Sequence, residues 1–120
     1  MDEHQALSAF SALSQETRLR IVRLLVTAGP EGMAAGAIAA AVEASTSNLS
    51  FHLKELEHAG LIRSRRQSRS IIYNASYGAL SGLVDFLMRD CCQGHPEVCT
   101  PAVAALAACG CNPDQEQVHG

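Results

Sequence analysis

The chain has 120 residues, 48% of them hydrophobic, which suffices for one modest core and leaves little room for a catalytic domain beside a regulatory one. Its net charge of −3 is unevenly spread: residues 14–69 carry eight cationic side chains against five acidic ones, whereas from residue 77 onward Arg89 stands against Asp85, Asp90, Glu97, Asp114 and Glu116. No uncharged apolar run of about 18 residues and no basic-then-apolar leader occurs, so neither membrane spanning nor secretion is indicated and a cytoplasmic protein is expected.

Leu7, Phe10 and Leu13 recur every three residues and predict a short amphipathic first helix. Ser14 is placed to cap a second helix over 15–28, in which Leu19, Val22, Leu25 and Val26 follow the helical period and Gly29-Pro30 supplies the stop. The small residues of 33–42 predict a third helix that packs closely against its neighbours, and nothing in it binds a metal. Ser45, Thr46, Ser47 and Asn48 offer N-cap side chains for a fourth helix over 45–59, with Leu49, Leu53 and Leu56 marking one face. Gly60 suits a left-handed position after Ala59, with Leu61 returning to Leu56. Residues 62–67 and 70–75 then read as two short strands around a tight connection at Ser68-Arg69, a candidate β-wing with Ile71 and Tyr73 on one face. The stripe Leu80, Leu83, Val84, Leu87 and Met88 predicts a last helix over 77–92, ended by Gly94 and Pro96. An alanine-rich piece over 102–108 and a polar finish over 112–120 follow, the latter expected to be disordered. The expectation is a mainly α unit over 1–92 with a small antiparallel β-hairpin, and a cysteine-containing, partly flexible tail over 93–120.

Three segments, in order, carry a resemblance. Residues 13–25, LSQETRLRIVRLL, resemble the second-helix signature of the ArsR/SmtB family of metal-sensing repressors. Residues 47–56, SNLSFHLKEL, followed by Ala59-Gly60-Leu61-Ile62, resemble its recognition helix and exit, and Arg65-Arg66 with Ile72-Tyr73 resemble its wing. The resemblance covers about residues 5–92. It implies a winged helix-turn-helix fold, double-stranded DNA as partner, and contacts to that DNA from positions 46, 47, 50 and 51. Phe51 departs from the more usual polar residue, and Ser68 stands in a turn where the family often has glycine. We read a homodimer whose helices 1 and 5 pair across a two-fold axis, matching an operator with inverted half-sites one helical turn apart.

The second helix of a helix-turn-helix enters the major groove with its N-terminal residues toward the base edges. With Leu49, Leu53 and Leu56 turned inward, Thr46, Ser47, Asn48, Ser50, Phe51 and Lys54 lie on or beside the outward face. These are side chains that read bases and hold phosphates; the plainer role for serine and threonine here is capping, which needs only one of them. The wing adds Arg63, Arg65, Arg66 and Arg69 with no acid between them, and Arg66 and Arg69 are the first candidates for phosphate or minor-groove contact. A merely solvated face is the alternative. His52 and His58 read as packing or surface residues.

All five cysteines lie at or beyond residue 91 and, in a reducing compartment, are thiols open to soft ions. Cys91, Cys92 and Cys99 supply three thiolates, the natural complement of trivalent arsenic or antimony. Successive helical residues point about 100° apart, so Cys91 and Cys92 share one ion only where the helix frays, which Gly94 and Pro96 permit. The step from Cys92 to Cys99 reaches about 23 Å when extended, ample for folding back. Cys109 and Cys111 form an auxiliary pair. His95 with the three cysteines would make a tetrahedral zinc or cadmium site, so a repressor answering to zinc, cadmium or lead is the alternative, and one that forms a disulfide under oxidants is another. A thiol reductase would need neither the basic hairpin nor this spacing; no phosphate-cradling glycine loop and no Cys-x-x-Cys is present, and no enzyme is expected. The family's best-known arsenic-sensing arrangement sets its cysteines in the third helix, where this chain has none. Other arsenic-responsive members resemble this chain in carrying a Cys-Cys pair and a later Cys, which implies release from DNA when Cys91, Cys92 and Cys99 are occupied.

Overall fold

A reciprocal cap starts the first helix, α1 (Glu3–Leu13): the Asp2 carboxylate accepts from the Gln5 backbone N–H at 2.8 Å, and the Asp2 N–H donates to Gln5 Oε1 at 2.9 Å. The computed structural model describes residues 1–88. The second helix, α2 (Glu16–Ala28), begins one residue later than expected, with Gln15 rather than Ser14 as its cap. Ser14 is still completing α1, its N–H and hydroxyl both donating to the Ser11 carbonyl, so Gln15 is the first extended residue and its side-chain oxygen accepts from Arg18 N–H at 2.9 Å. A 3-10 turn (Gly29–Glu31), a short strand β1 (Met33–Ala34), α3 (Ala35–Val42), α4 (Thr46–His58), β2 (Ile62–Gln67), β3 (Ser70–Ala75) and α5 (Tyr77–Met88) complete the order.

The sheet is antiparallel in the order β1-β3-β2, with Met33 opposite Tyr73 and Ile62 opposite Ala75. The strand over Met33–Ala34 corrects the expectation that 33–42 is all helix. Gly32 turns the chain along the open edge of β3, where two residues find ladder partners before α3 starts. Gly32 sits at φ 71°, ψ −166°, a region open essentially to glycine alone. A Cβ there would overlap the Tyr73 carbonyl oxygen and lie 2.8 Å from Asn74 Nδ2. Gly32→Ala is therefore expected to destabilise the fold by about 2 kcal/mol, a fall in melting temperature of roughly 10 °C by calorimetry; an unchanged transition would contradict the close approach.

The core joins α1 to α4 and the sheet: Ile21 and Leu25 from α2, Ile38 from α3, Leu49, Leu53 and Leu56 from α4, and Leu61 and Ile62 at the start of the wing are all buried. From α1 the buried residues are Ala6, Ala9 and Ala12, which bring the helix close, while Leu7 is 61% and Phe10 38% exposed. On α5, Leu83 is buried whereas Val84 and Leu87 are exposed. Leu7 and Phe10 of α1 and Val84 and Leu87 of α5 thus stay exposed, while Leu13, Leu80, Leu83 and Phe86 of the same helices pack on the protomer's own core.

Candidate nucleic-acid interface

Ser45, in extended conformation, caps α4, its hydroxyl accepting from Asn48 N–H at 3.3 Å. One serine satisfies the cap, and the hydroxyls of Thr46, Ser47 and Ser50 make no side-chain hydrogen bond among the described residues. Leu49, Leu53 and Leu56 anchor the inner face, which leaves Thr46, Ser47, Asn48, Ser50, Phe51 and Lys54 exposed together. Phe51 keeps more than half its surface in water, 57%, on a helix face that is otherwise polar.

At the other end of α4 the left-handed Gly60 (φ 81°) donates to the Glu57 carbonyl at 2.9 Å, and Leu61 N–H to the Leu56 carbonyl at 3.0 Å. This double closure aims β2. Pairing of Gln67 with Ser70 leaves a two-residue connection, and Ser68 there adopts φ 59°, the sense that a tight hairpin demands.

Both faces of the hairpin are tied down. Toward α4, the Ser64 hydroxyl donates to the Glu57 carboxylate at 2.7 Å, and Tyr73 has its phenol pKa raised by burial and by the same carboxylate. On the opposite face Arg65 donates to the Asn74 side-chain oxygen and, at 3.1 Å, to the Glu31 carbonyl, while the Asn74 amide donates to the Pro30 carbonyl at 2.8 Å. Arg65 is thus a strut within the molecule. Arg66 and Arg69 are exposed, and among the described residues the one ion pair is Arg20 with Glu16, at 2.6 Å.

A family model described as a helix-turn-helix domain matches residues 13–65. The chain is 35% identical over 69 residues to YceK of Bacillus subtilis, an uncharacterised helix-turn-helix transcriptional regulator, spanning 58% of this chain and 68% of that one. An ArsR-like transcriptional regulator from Rhodococcus superposes with a TM-score of 0.67 at 28% identity, over 87% of this chain and 93% of that one. Mb0332 of Mycobacterium bovis, described as a homodimeric winged helix-turn-helix DNA-binding domain and a possible ArsR-family regulator, gives 0.59 at 27% identity over 77% and 85%. The chain belongs to the ArsR/SmtB family of DNA-binding transcriptional regulators.

In this ArsR/SmtB regulator, α3 and α4 are the helix-turn-helix and β2–β3 the wing, and the predicted reading residues share the outer face of α4. Cys91, Cys92, Cys99, Cys109, Cys111 and His95, and the expected boundary at 92–93, lie outside the described residues. Among the described residues, no group of three or more His, Cys, Asp or Glu side chains is placed to hold an ion, and no helix is long and apolar enough to cross a membrane.

Sequence reasoning missed the Arg65 strut and also a contact between α2 and α4. Arg18 Nε donates to the Ala12 carbonyl at 2.8 Å, and its Nη1 lies 3.2 Å from His52 Nδ1 on α4. Burial, and then the Arg18 charge, hold the His52 imidazole below its ordinary pKa. Residues 34 positions apart give no periodic signal, and His52 alone reads as a packing residue.

Proposed function

We propose that the chain is a homodimeric repressor that grips operator DNA with α4 in the major groove and the wing on the backbone, and that lets go when trivalent arsenic or antimony binds its C-terminal thiolates. The observation that carries the DNA half is the exposed outer face of α4, together with the exposed wing residues Arg66 and Arg69, which have no carboxylate partner among the described residues. Thr46, Ser47, Asn48 and Ser50 supply groups for base edges and phosphates, Phe51 an apolar contact for a thymine methyl, and Lys54, Arg66 and Arg69 the cations for phosphates. Exposed Leu7 and Phe10 on α1 and Val84 and Leu87 on α5 are the apolar surface that a two-fold pairing of these helices would cover, in keeping with the homodimeric Mycobacterium bovis relative.

The inducer half rests on the donor set. Arsenous acid carries three hydroxyls; exchange for the thiols of Cys91, Cys92 and Cys99 forms three As–S bonds and releases three waters. Cys109 and Cys111 serve as an auxiliary pair. Addition of His95 to the three thiolates favours a second reading, a tetrahedral zinc or cadmium site, with lead another soft candidate; a disulfide between these thiols is the oxidant-sensing reading. Reduced repressor in the cytoplasm is the setting that fits all of them except the last.

Selection of the tightest-binding duplex from a random-sequence library, followed by footprinting, tests the DNA half. Inverted half-sites with centres about 10 bp apart, or a multiple of that spacing, are expected. Protection of a single half-site by a monomer would contradict it.

A further inference from the structure

Arg18 is one side chain with two remote acceptors. Its Nε satisfies the Ala12 carbonyl, one of the last four of α1 that no helical N–H reaches, and its Nη1 points at His52 Nδ1 on α4. The guanidinium is always a donor, so the contact exists only while Nδ1 carries a lone pair, and the ring proton is then on Nε2. We propose that Arg18 and His52 are positioning residues that hold the recognition helix in register with the end of α1, and that acid unlocks this bridge and weakens operator binding.

Among the described residues the ring has no other charged partner. From α2 it meets Arg18, and on α4 itself the Phe51 ring stands edge-on at a centroid distance of 5.6 Å. No carboxylate pairs with His52 among the described residues. A proton added to Nδ1 therefore sets a donor against a donor and a cation against a cation at 3.2 Å, and the contact is lost. Burial and the Arg18 charge already favour the neutral ring. The bridged form binds fewer protons than the open one, so lowering the pH below the ordinary histidine range shifts the population toward the open form, and raising it restores the bridge. The opposite sign follows for a histidine that merely lies near DNA: its protonation adds a cation, and affinity rises in acid.

α1 also carries the exposed Leu7 and Phe10, so the bridge connects the helix proposed to face the dimer partner to the reading helix through a single guanidinium. It involves none of the cysteines, and its test succeeds or fails independently of the inducer.

The test uses the reduced full chain and the duplex selected from the random library, with affinity followed by fluorescence anisotropy from about pH 8 down to about pH 5.5. The native protein is expected to lose about tenfold in affinity toward the acid end. His52→Asn keeps an acceptor in the place of Nδ1 but has nothing to titrate, so it should retain most of the affinity at about pH 8 and lose the steep acid limb. Arg18→Lys retains the charge but cannot serve both acceptors, and should weaken binding at about pH 8 without changing its salt slope. Nitrogen-15 NMR of the DNA-free protein reads the bridge directly, with an Nε2–H tautomer expected at neutral pH. A native affinity that is flat or rises in acid, a His52→Asn variant that falls as steeply as the native chain, an Arg18→Lys variant with native affinity, or an Nδ1–H or cationic ring at neutral pH would each overturn the proposal.

Discussion

Replacing Arg66 and Arg69 together by alanine is expected to weaken binding to every duplex, operator and random alike, by roughly a hundredfold at low salt. Both side chains are exposed on the wing and neither has a carboxylate partner among the described residues, so neither is needed to hold the fold. Each phosphate neutralised releases about 0.9 counterions, and losing two such contacts from each wing, four per bound dimer, should shallow the slope of log K against log salt by about 3.6. Arg65→Ala, by contrast, removes the strut to Asn74 and Glu31, and its effect should appear first as a lower melting temperature. A double variant with the native salt slope would remove the wing from the DNA interface. If operator affinity fell but random-duplex affinity did not, these arginines would be reading bases instead.

Replacing any one of Cys91, Cys92 and Cys99 by serine is expected to leave operator affinity unchanged while raising the arsenite concentration needed for release by at least about a hundredfold. The hydroxyl matches the thiol closely in size but is a poor ligand for a soft ion, so one of three strong bonds is lost with little else disturbed. The reading face and wing are built from residues 45–75 and contain no cysteine. Replacing Cys109 and Cys111 together should matter less. A normal response from the Cys99 variant, with loss of response from the Cys109/Cys111 double variant, would overturn the Cys91, Cys92 and Cys99 site and place it at Cys109 and Cys111. Release by peroxide but not by arsenite in the native chain would favour the oxidant-sensing reading.

The DNA-facing half was legible in the sequence because each of its signals is local. The leucines of α4 repeat at helical spacing, Gly60 closes the helix, and β-favouring residues on both sides of Ser68-Arg69 define the hairpin; the structure has the strands at Ile62–Gln67 and Ser70–Ala75, as expected. The two-residue β1 was hidden because its partner is β3, some 40 residues along the chain, and nothing in Met33-Ala34 distinguishes them from the helix they precede. Which face of α1 is buried was equally hidden. Periodicity shows that Leu7 and Phe10 share a side, but the protomer's core takes the alanines, and a monomer's core and a partner's surface make the same demand on a sequence. Arg65 read as one of the wing's four cations, behind Arg66 and Arg69, and its acceptors, the Asn74 side chain and the Glu31 carbonyl, are visible only in the fold. Arg18 and His52 belong to the same class: paired donors and acceptors that tertiary contact creates and composition cannot display.

The central claim is that one protein couples DNA binding by α4 and the wing to thiolate binding of a soft ion, and linkage supplies its most direct measurement. The arsenite affinity of the reduced chain is determined twice by calorimetry, free and saturated with the selected duplex. Coupling of about 1–3 kcal/mol requires saturation with DNA to weaken arsenite binding by roughly 5- to 150-fold, and by the same factor with which arsenite weakens DNA binding. Equal arsenite affinities in the two titrations would contradict the account, however tightly the ion bound.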